Sequence, residues 1–251
     1  MQSEISTNLA AVRERIAAAC RRAGRAPEEV TLLAVSKTKP ESAIREALAA
    51  GQYAFGENYV QELTAKIASF EKAGKESGPD RISWHMIGHL QRNKVKYIVG
   101  RVDLIHSVDS MPLALQIQKE AEKKDCLVNV LLEVNAALEE SKWGVSPQQT
   151  RETLAELAAL PNVCVSGLMT SAPYTTDPET NRMYFRELKR LGDLLAAEGL
   201  LYAADPECTG KAALPAPVLS MGMSGDFEVA VEEGATIVRV GSSIFGEREY
   251  H

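Results

Sequence analysis

Short apolar runs recur along the whole chain, separated by longer segments of mixed polarity. The runs consist mainly of β-branched and aliphatic residues, and most have the length of a buried strand. They predict eight strands, at residues 30–35, 54–56, 82–87, 102–108, 127–134, 163–169, 218–221 and 236–240.

Between these runs, apolar residues recur every three or four positions, which is the period of a helix with one buried face. The pattern predicts helices at residues 3–24, 41–50, 59–73, 93–99, 112–123, 147–160, 178–198 and 226–233. The first helix precedes the first strand, and the others lie between strands. Strands that alternate with helices are typical of parallel strands joined by crossover connections.

Eight strand and helix units in a chain of 251 residues predict a (β/α)8 TIM barrel with an extra N-terminal helix. We expect one domain over residues 1–251. An open, doubly wound sheet is the alternative, but the first strand-to-helix turn reads Ser-Lys-Thr-Lys-Pro and lacks the G-x-G-x-x-G dinucleotide fingerprint. Residues 72–81 and 203–217, rich in Gly, Pro, Asp and Glu, predict loops.

Composition narrows the class of protein further. Hydrophobic residues make up 45% and charged residues 25%, a balance typical of globular proteins. The net charge of -6 argues against nonspecific binding to nucleic acid or to an anionic membrane. The first ten residues have no signal-peptide pattern, and no apolar run is long enough to cross a bilayer. We therefore expect a cytoplasmic protein without nucleic-acid or membrane partners.

The cysteines predict neither a metal site nor a disulfide framework. Cys20, Cys126, Cys164 and Cys208 are far apart, and none belongs to a C-x-x-C pair. Free thiols are expected.

A lysine follows the first predicted strand. Side chains alternate faces along a strand, so Leu33, Val35 and Lys37 share one face. If that face lines a packed interior, the low dielectric favours the neutral amine, which can attack an aldehyde. An ordinary surface lysine just beyond a strand is the alternative.

Two loops rich in glycine and serine follow the seventh and eighth strands, at residues 221–226 and 241–243. In (β/α)8 barrels a phosphate commonly lies between these two loops, where backbone amides and hydroxyls donate hydrogen bonds. The alternative is that these residues only form turns and helix caps.

Arg239 places a charge within the eighth strand, among β-branched residues, where a charge is unexpected. A buried charge must be paired with an opposite charge or have a functional role. An ion pair with Glu57 or Glu133 is one interpretation. With a lysine and a phosphate loop nearby, a second is that Arg239 faces the ring nitrogen of pyridoxal 5′-phosphate bound to Lys37. A barrel that binds another phosphorylated metabolite is a third.

Seven segments, in order along essentially the whole chain, carry a family resemblance. They read Ala-Val-Ser-Lys-Thr-Lys-Pro (34–40), Phe-Gly-Glu-Asn-Tyr-Val-Gln-Glu (55–62), Trp-His-Met-Ile-Gly-His-Leu-Gln-Arg-Asn-Lys (84–94), Ser-Lys-Trp-Gly (141–144), Gly-Leu-Met (167–169), Leu-Ser-Met-Gly-Met-Ser (219–224) and Val-Arg-Val-Gly-Ser-Ser-Ile-Phe-Gly (238–246). The chain resembles the pyridoxal phosphate homeostasis protein family, whose fold is similar to the N-terminal barrel domain of bacterial alanine racemase.

The resemblance implies a cofactor site with defined roles. Lys37 would form a Schiff base, Asn58 would lie close to the cofactor, and Arg239 would face the pyridine nitrogen. The phosphate would be bound around Met223, Ser224, Gly241 and Ser242. A cation at the ring nitrogen disfavours its protonation and weakens the ring as an electron sink, which suits holding the cofactor, or gentle proton transfer, better than vigorous carbanion chemistry.

The function implied by the resemblance is binding of pyridoxal 5′-phosphate, intracellular vitamin B6 homeostasis and cofactor supply to apo forms of pyridoxal-phosphate enzymes. A monomer without catalytic turnover is expected, with no catalytic residue and no metal ligand. An amino-acid racemase is the alternative. In related racemases a tyrosine from another domain supplies a second proton donor. Here only residues 247–251 follow Phe245-Gly246, and Tyr250 would have to fold back over the barrel mouth to replace that tyrosine.

Four further residues could lie near the site. His85 and His89 in the third strand segment could be acid–base groups, but they are interpreted as one packed and one solvated histidine. Lys39 and Lys142 are interpreted as solvated charges that could lie near the barrel mouth and accept cofactor in transit.

Overall fold

The structure, a computed structural model, describes residues 3–72, 81–202 and 217–247. Nearly all of the two predicted loops lies outside these residues, as do Cys208 and Tyr250.

Eight parallel strands close into a barrel in which each strand pairs with its neighbours in chain order and β8 pairs with β1. This confirms the predicted (β/α)8 barrel. The strands are β1 (Thr31–Val35), β2 (Ala54–Glu57), β3 (Ser83–Met86), β4 (Leu104–Val108), β5 (Val128–Glu133), β6 (Val163–Met169), β7 (Val218–Met223) and β8 (Ile237–Val240).

Helices pack around this barrel, and the additional N-terminal helix is confirmed. They are α1 (Glu4–Ala23), α2 (Glu41–Ala49), α3 (Val60–Lys72), α4 (Met111–Lys124), α5 (Thr150–Leu157), α6 (Arg182–Ala197), α7 (Phe227–Glu232) and α8 (Ser242–Phe245). Helix α1 begins where the Ser3 hydroxyl accepts a hydrogen bond from the Ser6 amide at 3.2 Å, and it ends at Gly24 with a φ of 65°.

Three helical segments differ from their predictions. The segment predicted at 93–99 is a 3-10 helix, Arg92–Tyr97, whose only buried residue is Val95, so little packing favours a longer α-helix. Helix α5 begins at Thr150 rather than at 147 because Ser146 and Gln149 first form a hydrogen-bonded turn. A 3-10 turn, Pro178–Asn181, precedes α6, and α8 was not predicted.

The core has two layers. Inside the barrel, one side chain from each of six strands forms the inner cluster: Leu33, Leu104, Leu131, Met169, Val218 and Ile237. The larger outer layer, which includes Leu32 and Ala34, fills the space between strands and helices. Leu33 thus faces the barrel interior, as the alternation in β1 predicts. None of the helices in the described part of the chain is long and apolar enough to span a membrane.

Candidate functional site at the carboxyl ends of the strands

The predicted site residues lie at the carboxyl ends of four adjacent strands. In a parallel barrel these ends form one rim, and the closed order makes β7, β8, β1 and β2 consecutive around it. The residues are Met223 and Ser224 at the end of β7, Arg239 in β8 with Gly241 and Ser242 after it, Lys37 just beyond β1, and Asn58 just beyond β2.

Side-chain hydrogen bonds fix the loop that carries Lys37. Lys37 is half-buried, and the residue before it, Ser36, is fully buried. The Ser36 hydroxyl donates to Glu57 Oε1 at 2.6 Å, and Lys66 Nζ donates to the Ser36 carbonyl at 2.8 Å. The side chain and the backbone carbonyl of Ser36 are therefore both anchored to neighbouring elements.

The residue after Lys37 is held as well. Thr38 has a φ of 63°, which a β-branched residue rarely adopts. Its amide donates to Glu62 Oε1 at 2.7 Å, and Lys66 Nζ binds that same oxygen at 2.6 Å. The contacts on both sides of Lys37 thus meet at one buried ammonium group, which compensates for the unfavourable backbone conformation.

Lys66 also neutralises a buried carboxylate. Glu57 is fully buried, and its Oε1 accepts from Lys66 Nζ at 2.7 Å. Burial raises the pKa of Glu57, against the lowering effect of Lys66 and the Ser36 hydroxyl. The sequence carried a signal for Lys66, since it lies on the buried face of α3 with Leu63, Ile67 and Phe70, but sequence reasoning did not identify it.

The loops after β7 and β8 contact each other. The Gly241 amide donates to the Ser224 hydroxyl at 3.1 Å. A Cβ on Gly241 would lie 3.3 Å from both the Cβ and the carbonyl oxygen of Val35, two residues before Lys37. Gly222 has a φ of 89°, and a Cβ there would lie 2.5 Å from the Ala230 Cβ. The two glycines thus allow the loops to approach β1 and α7 closely.

Arg239 is 5% exposed, and four oxygen atoms bind its guanidinium group. Nη1 donates to the Ser220 carbonyl at 2.8 Å and to the Ser220 hydroxyl at 2.7 Å, while Nη2 donates to the Thr170 carbonyl at 2.9 Å and to the Ser171 hydroxyl at 3.3 Å. Burial lowers the pKa of Arg239 to about 10, against the attraction of Glu133 and Asp226. The group remains a cation at neutral pH.

The interpretation that Arg239 forms an ion pair with Glu57 or Glu133 is wrong. In the described ranges no carboxylate oxygen lies within 4.0 Å of the Arg239 guanidinium, and Glu57 pairs with Lys66 instead. Neutral acceptors in β7 and in the two residues just after β6 satisfy the arginine.

Asn58 supplies an unsatisfied group. Its Oδ1 atom is buried and has no hydrogen-bond partner, which is unfavourable unless a ligand supplies one. Lys37 offers an amine, Ser224 and the Gly241 segment offer a hydroxyl and backbone amides, and Arg239 offers a cation. This set matches an aldehyde, a phosphate and a ring nitrogen, so the residues fit pyridoxal phosphate.

The two additional lysines lie near this rim. Lys39 Nζ donates to the Glu247 carbonyl at 3.1 Å, and Lys142 Nζ donates to the Ser171 carbonyl at 3.0 Å. Lys142 thus contacts a residue that also binds Arg239. Neither ammonium group is purely solvated.

The two histidines differ as expected. His85 is buried in the barrel, whereas His89 is exposed. The His89 ring stacks on Trp143 with centroids 3.9 Å apart, and its Nδ1 lies 3.1 Å from Asp109 Oδ2. Across residues 3–72, 81–202 and 217–247, no group of three His, Cys, Asp or Glu side chains is arranged to hold a metal ion.

Comparison with solved structures identifies the same barrel in several proteins. The chain is similar to a protein of unknown function from Bifidobacterium adolescentis, with a TM-score of 0.86 and 38% identity over 96% of this chain and 94% of that one. It is also similar to PipY of Synechococcus elongatus solved with PLP bound, with a TM-score of 0.76 and 34% identity over 96% of this chain and 100% of that one. Alanine racemase from Corynebacterium glutamicum, at 19% identity and a TM-score of 0.65, shares the fold; the match covers 98% of this chain and 61% of the racemase.

Comparison with known protein sequences identifies the same class of barrel as the solved structures do. A model of the alanine racemase N-terminal domain matches residues 7–249. The pyridoxal phosphate homeostasis protein of Aquifex aeolicus is 48% identical over 96% of this chain and 97% of its own length, and that of Escherichia coli K12 is 40% identical over 99% and 98%. At this identity over nearly the full length, the chain belongs to the pyridoxal phosphate homeostasis protein family, within the alanine racemase N-terminal domain class of barrels.

Proposed function

We propose that the protein binds pyridoxal 5′-phosphate as a Schiff base on Lys37 and takes part in vitamin B6 homeostasis by supplying the cofactor to apoenzymes. The observation that carries the proposal is the meeting of Lys37, Asn58, Arg239 and the Ser224 and Gly241 loops on four adjacent strand ends. The names of the curated relatives and the PLP-bound PipY structure support it.

Each residue would contribute one function. When bound, pyridoxal phosphate supplies an aldehyde that condenses with a primary amine. Lys37 offers that amine from a loop fixed by Lys66, and Ser224, Gly241 and Ser242 would bind the phosphate. Arg239, held by its four acceptors, would keep the ring nitrogen unprotonated.

The direct test is covalent labelling of the purified protein. We expect borohydride reduction in the presence of pyridoxal phosphate to fix a pyridoxyl group on the peptide that contains Lys37. Lys37→Ala should abolish the label, whereas Lys39→Ala, two residues away in the same loop, should keep it. Wild-type protein that gains no label when supplied with the cofactor would refute the proposal.

We further propose that the protein is a carrier without catalytic turnover. An arginine at the ring nitrogen weakens the cofactor as an electron sink, and the likeness to alanine racemases extends to the fold alone. Incubation with a panel of L-amino acids should give no D-enantiomers. Turnover that Lys37→Ala abolishes would contradict this and favour a racemase.

Cofactor supply needs a separate experiment. Loaded protein is mixed with an apoenzyme in the presence of a trap for free aldehyde. We expect the apoenzyme to regain its activity. Transfer that survives the trap indicates direct delivery, transfer only without the trap indicates release into solution, and no transfer under either condition would refute the supply role.

A further inference from the structure

A continuous line of hydrogen bonds crosses the barrel interior beneath the candidate site. It begins at Arg239 and continues through six further side chains, each of which comes from a strand or from the residues just before one. In order they are Ser220, His106, His85, Ser83, Asp103 and Arg81. We call these seven residues the interior relay. The candidate site described above uses only its first member and the acceptor next to it.

The donors and acceptors at the far end can be assigned from chemistry. Arg81 Nη1 donates to Asp103 Oδ2 at 2.8 Å, so Asp103 acts as a carboxylate and can only accept. The Ser83 hydroxyl donates its single proton to the same oxygen. Ser83 Oγ must therefore accept from His85 Nε2, which lies 3.1 Å away.

The same logic continues across the histidine pair. With its proton on Nε2, a neutral His85 can only accept at Nδ1, and His106 Nε2 lies 2.8 Å from that atom. His106 then carries its proton on Nε2 and accepts at Nδ1 from the Ser220 hydroxyl, also at 2.8 Å. Ser220 Oγ keeps a lone pair for Arg239 Nη1 at 2.7 Å. These five hydrogen bonds therefore run in one direction, from Arg239 through Ser220 and the two histidines to Ser83 and Asp103.

The surroundings of His106 favour the neutral form that this assignment needs. His106 is fully buried, and burial lowers its pKa well below the ordinary value, with further lowering by His85 and Arg239. An imidazolium at this position would donate from both ring nitrogens, so the Ser220 hydroxyl would lose the acceptor for its own proton. With neutral histidines, each hydrogen bond in the chain polarises and strengthens the next hydrogen bond.

The relay acts on the orientation of Arg239. The Ser220 hydroxyl can rotate, and when His106 accepts its proton both lone pairs of the oxygen are kept for donors such as Arg239. The relay therefore links the arginine to a carboxylate on the opposite side of the interior, although no carboxylate lies within 4.0 Å of it among the described residues.

We propose that the interior relay, through neutral His106 protonated on Nε2, fixes the Arg239 guanidinium and so sets the charge at the ring nitrogen of bound pyridoxal phosphate. His106 and Ser220 are then positioning residues that tune the cofactor without contributing to its covalent attachment. The consequence for the cofactor rests on the proposed function, whereas the proton assignment within the relay does not.

The first measurement uses the protein without cofactor. Long-range proton–nitrogen NMR spectra report which ring nitrogen of each histidine carries a proton, and single His→Gln variants assign the 4 histidines of the chain. Near neutral pH we expect both His85 and His106 as neutral Nε2–H tautomers. A proton on His106 Nδ1, or an imidazolium there, would overturn the relay.

The second measurement uses the loaded protein. His106→Phe keeps a ring of similar size but ends the relay, and Ser220→Ala breaks it next to Arg239 with a smaller change in volume. We expect each to weaken pyridoxal phosphate binding about tenfold, as loss of a hydrogen bond to a buried charged group does, and to move the pH midpoint of the visible absorbance by about one unit. Borohydride labelling of Lys37 at saturating cofactor should persist.

Leu104→Ala is the matched control because it removes volume from the same interior, two residues from His106 in β4, without a hydrogen-bonding group. It should leave the absorbance midpoint unchanged. If Ser220→Ala and any folded His106→Phe bind the cofactor and titrate as Leu104→Ala does, the relay does not set the site. Wild-type protein that shows the Nε2–H tautomers but binds no pyridoxal phosphate would refute the proposed function and still support the proton assignment.

Discussion

At the scale of single residues, Arg239 shows how a buried cation is accommodated without a contacting carboxylate. Its guanidinium group is a planar fork with donors on two sides. Nη1 donates to two oxygens of Ser220, and Nη2 donates to one oxygen each of Thr170 and Ser171. These bonds offset part of the cost of burial. Burial lowers the pKa of Arg239 to about 10, against the attraction of Glu133 and Asp226, and this value still leaves the group charged at neutral pH.

We therefore expect Arg239→Lys to be costly. A lysine presents one ammonium group that cannot bind Ser220 and the Thr170–Ser171 segment together, so the free energy of unfolding should fall by about 2 kcal/mol in urea denaturation. Arg186→Lys is the control: Arg186 is largely exposed and pairs with Glu233, and its replacement should cost less than about 0.5 kcal/mol. Equal losses in the two variants would contradict this account.

At the scale of elements, α3 does more than cover β2 and β3. Its Lys66 crosses to the loop after β1, where it binds Ser36, while Glu62 of the same helix binds Thr38. Helix α3 thus anchors the residues on both sides of Lys37, although α2 and β2 separate the helix from this loop in the chain.

Lys66→Ala should disturb both stability and labelling. It leaves the carboxylate of Glu57 buried without its cation, which costs about 3 kcal/mol, and it releases the Lys37 loop. We expect a lower urea midpoint and slower borohydride-trapped labelling of Lys37 under conditions where the variant is folded. Lys72→Ala, an exposed lysine on the same helix, should change neither. Labelling at the wild-type rate in Lys66→Ala would show that α3 does not position Lys37.

At the scale of the whole molecule, the strand order could be predicted because each strand and its helix are local patterns. Lys37, Ser224 and Gly241 could likewise be placed at one rim, since parallel strands put all carboxyl ends together. The relay could not be predicted: His106 and Ser220 are 114 positions apart, and only barrel closure makes them contact. Nothing in a single histidine within an apolar strand indicates which distant hydroxyl it will meet.

The dependence of overall stability on pH gives a last prediction, for Glu133 at the end of β5. Burial above all, together with repulsion by Asp109, raises its pKa from 4.5 to about 7, although Arg239 opposes the shift. Between these two pH values the folded protein retains a proton that the unfolded chain releases, so Glu133 lowers stability as the pH rises. Glu133→Gln should therefore unfold with a free energy on the order of 2 kcal/mol higher than wild type at about pH 8, and the difference should vanish near pH 4.5. Urea denaturation across this range measures it, with the exposed Glu140→Gln as control. A difference independent of pH would show that the pKa of Glu133 is not raised in the folded protein.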